Sequence, residues 1–434
     1  MIQYYYVLKD YYSKRPDLIH LIVIICLIFG VFWKVNSFEF MLGWDDQWFV
    51  VNQYTEGGLT FENISSMFTN FYCGQYSPIN QLYYTIIYCI FNYDPKYFHI
   101  LSVIVHLSNV FLLYYLFKRL SYLIFGTENG DSEKKAFIAA ILFGISPFNL
   151  EPVAWVAASK VLLYALFYLA ALHCYLRYIS RSKNLYFYLT IIFFILSFGA
   201  KEQAVTLPFC LILLDYLNNR KLSDIIVWQE KLPFLVLAIL FGFVTIESQG
   251  SEVIESTHFY PVDQRLLLAF YTISEYFTKA LIPINLSYLY PFPFQIGKPA
   301  PMWLWFYPVG ISAILYCFHS VLKVKFIFFG LIFFAIHIIL VINILSLARF
   351  SIVADRYAYL ANGGLYFILG CGFFLLFKKS KKFSVGLLVI YMTYFMVYTY
   401  THSVTWTNSE SLKKKIGTAI KSRKDYKIWR DQSK

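Results

Sequence analysis

About eleven stretches of this chain run apolar for nearly the length a helix needs to cross a bilayer, and short polar loops separate them. A spanning helix takes about 20 apolar residues, with a range of about 17–25. The stretches are Leu18–Val35, His99–Phe117, Ala136–Leu150, Val161–Ile179, Leu185–Gly199, Gln203–Leu217, Leu232–Ile246, Met302–Val321, Phe326–Leu347, Gly364–Phe377 and Phe383–Tyr400. In lipid every backbone polar group must be satisfied internally, so only helices and closed barrels span. These runs are continuous rather than alternating, which excludes barrel strands. Only 14% of residues are charged, where a soluble domain carries roughly 25%. The expectation is an all-α polytopic membrane protein.

Two weaker segments, Pro78–Phe91 and Gln264–Ile282, are short or broken by charge. Their placement follows from the rule that basic loops stay inside. With both outside as juxtamembrane helices, Lys9, Lys14 and Arg15, Lys118 to Lys135, Arg177 to Lys183, Arg220 to Lys231, Lys323 and Lys325, and Lys378 to Lys382 all fall on the cytoplasmic side. The same arrangement puts Asp45, Asp46, Glu151, Lys201, Glu202, Asp355 and Arg356 on the external face, although none of them set the orientation. Residues 1–400 then form one transmembrane domain whose first external loop covers about 36–97, and residues 401–434 form a short basic tail. That tail emerges outside, against the charge rule. The net charge of +12 marks orientation, so membrane lipid is the expected partner and nucleic acid is not. Seven cysteines lie mostly inside apolar runs with no CxxC pair, which gives neither a disulfide framework nor a zinc site. The polar lead before Leu18 is too long for a cleavable signal peptide.

Five motifs interrupt the apolar pattern. Gly43-Trp44-Asp45-Asp46-Gln47-Trp48-Phe49 sets two carboxylates between tryptophans. Neighbours on a helix point about 100° apart, so one acid can face a substrate while the other caps or binds. An N-cap pair opening an external helix is an equal reading. Tyr72 and Tyr76, around Gly74 and Pro78, suit sugar stacking or interfacial anchoring alike. Glu151 is bracketed by Pro147 and Pro152, which break a helix; Lys160 closes that segment. Lys201-Glu202 is a membrane-edge pair, either a snorkelling loop or a phosphate contact. Asp355-Arg356, with Arg349 nearby, reads as an anion site, since the guanidinium fork suits phosphate, with Asp355 orienting the Arg. It reads also as a structural pair. No Walker motif, nucleophile elbow or zinc signature is present.

The order of these motifs, from Trp44-Asp45-Asp46 through Gly74-Gln75-Tyr76-Ser77-Pro78, Glu151-Pro152-Val153-Ala154-Trp155, Lys201-Glu202-Gln203, Leu213-Leu214-Asp215-Tyr216 and Ala354-Asp355-Arg356-Tyr357 to Trp406, resembles the membrane half of the transmembrane and tetratricopeptide-repeat (TMTC-like) O-mannosyltransferases. More broadly it resembles the GT-C superfamily. The resemblance covers about residues 18–410. It implies a GT-C-like fold and an inverting transfer from a polyprenyl-phosphate-linked sugar donor to a protein or glycan acceptor. It also implies that Asp45 is the general base, with Glu151 at a second acidic position and Lys201 and Arg356 at the lipid phosphate. A divalent metal would use Asp46 or Glu151, but two or three carboxylates do not specify one. This chain departs from the family at Ser146, Asn149, Ser159, Val161 and Ala361, and it carries no tetratricopeptide repeats. Its richness in Phe, Tyr, Ile, Lys and Asn suggests an AT-rich bacterial genome, and hence an inner-membrane location with the site facing outward. The rival readings are a lipid-linked sugar flippase and an inactive membrane scaffold.

Overall fold

The computed structural model describes residues 16–126, 130–254, 260–344 and 351–421. Lys9, Lys14, Arg15 and Arg349 lie outside the described residues, as does the end of the Phe326–Leu347 run. Every one of the eleven apolar runs carries helix, and among the described residues there is no strand beyond one isolated bridge. The principal helices are α1 (Pro16–Phe32), α2 (Pro95–Phe125), α3 (Asp131–Gly144), α4 (Lys160–Arg181), α5 (Asn184–Ala200), α6 (Leu207–Leu217), α7 (Ile225–Ile254), α8 (Lys325–Ile338), α9 (Ala361–Lys379) and α10 (Lys381–His402). Six helical segments among the described residues are long and apolar enough to cross a membrane, or seven if α3 and the helix after it count as one bent span. The chain is therefore an integral, multi-pass, all-α membrane protein. Several of the eleven runs fold as shorter apolar helices: α5, α8 and Met302–Cys317 are too short to pass as full spans on their own. The two weaker segments form helices at Pro78–Phe91 and Val262–Leu281.

Local chemistry sets the helix ends. Asp94 accepts the Lys96 N–H at 3.1 Å, and Pro95 occupies the first turn of α2, where its missing N–H costs nothing. Gly126 ends α2 at φ +78°, with its N–H on the Tyr122 carbonyl at 2.9 Å. α4 is the most buried span and packs against α2 and α5. α7 and α10 turn most of their surface outward, toward lipid. α8 and α9 cross at Gly330 and Gly364. A Cβ on Gly364 would stand 2.3 Å from the Gly330 carbonyl oxygen, so the backbones touch directly. This is the small-residue contact that lets helices pack where lipid competes for apolar surface.

The bend after α3 positions Glu151. α3 and Pro147–Ala154 meet at 54°. Ser146 caps the Phe148 N–H at 3.2 Å, and Asn149 Nδ2 reaches back to the Phe143 carbonyl at 2.9 Å. Thr399 of α10 donates to the Ile145 carbonyl at 2.9 Å. The carbonyls freed by the break thus keep donors, and the turn carrying Glu151 is held from two sides.

The described part of the basic tail, up to Lys421, packs against the rest of the chain. Glu39 N–H bonds to the Thr407 carbonyl at 2.9 Å. The following helix, Ser409–Lys421, buries Leu412 and Ile416 in the main core, and Ser409 bonds to the Leu42 carbonyl. The tail therefore docks on the first loop, at the same end as Asp45.

Candidate active site

Four chain segments converge at this end. The first is the loop after α1. Asp45 precedes the short helix Asp46–Phe49, and its side chain makes no capping bond. Its neighbour Asp46 is fully buried. Asp46 Oδ2 accepts the Met41 N–H at 2.7 Å and Oδ1 the Ala157 N–H at 2.8 Å. The two carboxylates divide as their helical offset requires: Asp46 pins the loop to the segment before α4, and Asp45 is left half-exposed on the other side. Burial raises the Asp45 pKa above the ordinary 3.8, opposed by the charges of Arg356 and Lys160. Burial pushes Asp46 up to about 7, against the two backbone N–H groups.

The second and third segments meet through Glu151 and Arg356. Glu151 Oε1 lies 2.6 Å from Arg356 Nη1, and Oε2 accepts the Arg356 backbone N–H at 2.9 Å. The guanidinium also lies over the rings of Tyr357 (4.8 Å), Trp155 (5.3 Å) and Tyr288 (5.6 Å). Glu151 thus performs the orienting role that the sequence assigned to Asp355. Asp355 is buried and accepts the Tyr290 hydroxyl at 2.8 Å. Burial and the nearby Glu151 charge push its pKa well up.

The fourth segment brings Lys201. Its ammonium lies 3.0 Å from Glu202 and 5.1 Å from the centre of the Tyr357 ring. Burial pushes the Glu202 carboxyl up, but Lys201 and Lys160 more than offset this and bring it to about 2. Lys201 and Arg356 therefore flank one aromatic ring. Gln203 Nε2 ties the two segments by donating to the Tyr357 carbonyl at 3.2 Å. Lys160 Nζ donates to Gln75 Oε1 at 2.5 Å and lies 4.9 Å from the Phe49 ring centre. Among the described residues Lys160 has no carboxylate within ion-pair distance, whereas Lys201 and Arg356 each have one.

Tyr76 sits at the edge of this arrangement. Its hydroxyl donates to the Phe68 carbonyl at 3.0 Å, and its ring leans on Phe198 at 6.2 Å. An aromatic wall closes the other side. Tyr288 meets Trp44 at 5.2 Å, Trp155 at 5.4 Å and Trp406 at 5.9 Å. Tyr288 and Lys160 are the members that sequence reasoning left out of the site. The signal for Tyr288 was a Pro- and Tyr-rich loop, 282–301, outside every apolar run. Among the described residues no three His, Cys, Asp or Glu side chains come together as a metal site would need.

No family model matches the chain. It is 26% identical over 358 residues to a curated Caenorhabditis elegans protein named as a protein O-mannosyl-transferase. The match covers 78% of this chain and 48% of the relative, so the chain spans about half the length of that protein.

Proposed function

We propose that this chain is a GT-C-like membrane glycosyltransferase that moves a sugar from a polyprenyl-phosphate donor to an acceptor hydroxyl at the external face, with inversion. The observation that carries this reading is the grouping of Lys160, Lys201 and Arg356 beside a half-exposed Asp45, with Lys160 free of any carboxylate partner among the described residues. Fixed cations next to a basic carboxylate suit a reaction in which a phosphate leaves as a hydroxyl is deprotonated. The name of the worm relative supports the sugar transfer and suggests mannose.

In this reading Asp45 takes the proton of the acceptor hydroxyl as its oxygen attacks the anomeric carbon. The bond from that carbon to the phosphate oxygen breaks, and its electron pair leaves on the polyprenyl phosphate. Lys160, Lys201 and Arg356 stabilise the growing negative charge. A positioned carboxylate base contributes roughly 10²–10⁴-fold, and its raised pKa makes Asp45 a stronger base than an exposed aspartate. Asp46 and Glu151 hold the frame: one ties the loop down, the other aims Arg356. Purified protein in lipid nanodiscs, given radiolabelled polyprenyl-phosphate mannose and a panel of glycan and peptide acceptors, should release labelled product. The Asp45→Asn variant should lose at least about 10²-fold in turnover. Label moved across the bilayer of a vesicle without transfer would favour the flippase reading instead.

A further inference from the structure

The first external loop carries an open cleft. Its inner recess is narrow, leaving about 20 Å³ for the centre of a water-sized sphere, enough for one hydroxyl or water. Amides and phenols line it, among them Asn70, Gln75, Asn80, Tyr54 and Tyr72, with Phe49 as an apolar wall. No charged side chain contributes to the lining.

The walls are built to stay in place. Asn52 Nδ2 donates to Gln81 Oε1 at 3.2 Å, and Gln81 Nε2 donates to Thr55 Oγ1 at 2.8 Å. Tyr72 and Gln75 exchange both backbone hydrogen bonds at 3.0 Å around Cys73 and Gly74, at φ +47° and +67°. Two positive φ values in a two-residue turn are the type I′ geometry, for which Gly is suited. One polar atom in the lining is left over. Asn80 is buried, and its Oδ1 receives no hydrogen bond from the described residues. A buried acceptor without a donor is costly, and Asn80 is one of the residues that line the cleft.

The cleft also has a charged rim. Gln75 and Phe49 both line it, and both touch Lys160, by hydrogen bond and by ring contact. An uncharged, hydroxyl-rich group inside the cleft would therefore lie with an anion-binding ammonium at its edge.

We infer that this cleft binds one edge of a neutral sugar ring, with a hydroxyl or hydroxymethyl group in the recess against Asn80. The proposal rests on the transferase reading only for the source of that sugar, which is either the donor's own ring or a glycan acceptor. Aromatic walls take the C–H face of a sugar while amides and phenols take its hydroxyls, and a charged sugar gains no partner inside.

Saturation-transfer NMR on the nanodisc protein tests it, with methyl α-mannoside and methyl β-glucoside as probes. Transfer to at least one glycoside is expected. Asn80→Leu and, independently, the surface change Tyr72→Phe should each weaken it about three- to tenfold, as loss of one hydrogen bond predicts. Thermal midpoints equal to wild type show that each variant is folded. Mannose 1-phosphate and glucose 1-phosphate identify the source. Tighter binding than the methyl glycoside, abolished by Lys160→Met, assigns the donor's ring; no gain assigns an acceptor sugar. Absence of glycoside transfer in the wild type, or transfer unchanged in both folded variants, overturns the site. Glycoside binding in a protein that turns over no lipid-linked sugar leaves the site standing and removes the transferase reading.

Discussion

Glu151 holds Arg356 twice, by an ion pair at 2.6 Å to the guanidinium and by a 2.9 Å hydrogen bond from the arginine's own backbone N–H. One carboxylate therefore fixes both the main chain of the segment and the direction of its side chain. The Glu151 side chain is 2% exposed and that of Arg356 17%, so each depends on the other for neutralisation. Glu151→Gln keeps the volume and an acceptor but leaves a poorly solvated cation. Removing one member of a buried pair costs about 3–5 kcal/mol. The thermal midpoint in detergent should fall by many degrees; a midpoint within a degree of wild type would show that the pair carries no structural weight.

Arg356→Lys is the complementary change. It keeps the charge but gives up the fork that serves Glu151 and the flat face that lies over Trp155, Tyr288 and Tyr357. A hydrogen bond to a charged group is worth roughly 1.5–3 kcal/mol, so kcat/KM for the lipid-linked donor should fall about 10–100-fold. Donor kinetics and thermal midpoint are to be measured on the same preparation. Unchanged donor kinetics in a folded variant would remove Arg356 from the proposed phosphate site.

The adjacent aspartates should separate cleanly. Asp46→Asn presents an amide N–H₂ to one of two backbone donors, Met41 N–H or Ala157 N–H, and leaves it unsatisfied at a cost of about 1–3 kcal/mol. The expected result is lower stability with activity per folded molecule largely kept, opposite to Asp45→Asn. A pH signature accompanies it. The folded protein holds the Asp46 proton more tightly than an ordinary aspartate, up to about 7 against 3.8. That contribution to stability is full below about pH 4 and is lost as pH rises toward about 7. Denaturation midpoints across this window should show the slope in wild type and a weaker one in Asp46→Asn.

The apolar runs made the fold class legible, because span length and continuity are properties of sequence alone. They gave no reliable count of spans. The 203–217 run folds as a 3-10 turn and the eleven-residue α6, since Lys201-Glu202 and Pro208 stop one long helix from forming. The acids and cations were legible as residues at the ends of apolar runs. Their pairings were not: Glu151 and Arg356 are 205 positions apart, and nothing local favours that contact over Asp355–Arg356. Tyr288 was hidden for the same reason, in a loop that no periodicity describes.

A second buried network was visible only as the motif around Asp215. About four turns along α4 from Lys160, Tyr175 donates its hydroxyl to the Asp215 carboxylate at 2.8 Å, and Arg220 and Lys231 lie 2.9 and 2.6 Å from its two oxygens. Asp215 and Lys231 are wholly buried. Lys231→Met should lower the thermal midpoint strongly, as loss of a buried partner does, while donor KM in the surviving folded fraction stays at the wild-type value. A raised donor KM without loss of stability would place this network in the site instead.

The acid limb of the activity profile tests the base most directly. Only the carboxylate form of Asp45 can take a proton, so activity falls as pH drops through its pKa. Burial raises that pKa above the ordinary 3.8, and the charges of Arg356 and Lys160 hold it back. The acid limb of kcat/KM should therefore lie above the range of an exposed aspartate. Lys160→Met removes one opposing charge without touching the carboxylate, so the limb should move to still higher pH, whatever its effect on the absolute rate. Loss of a phosphate contact alone would lower the rate equally at every pH. An acid limb that stays in place in Lys160→Met while the rate falls would show that Lys160 does not act on the titrating group, and would leave Asp45 without support as the base.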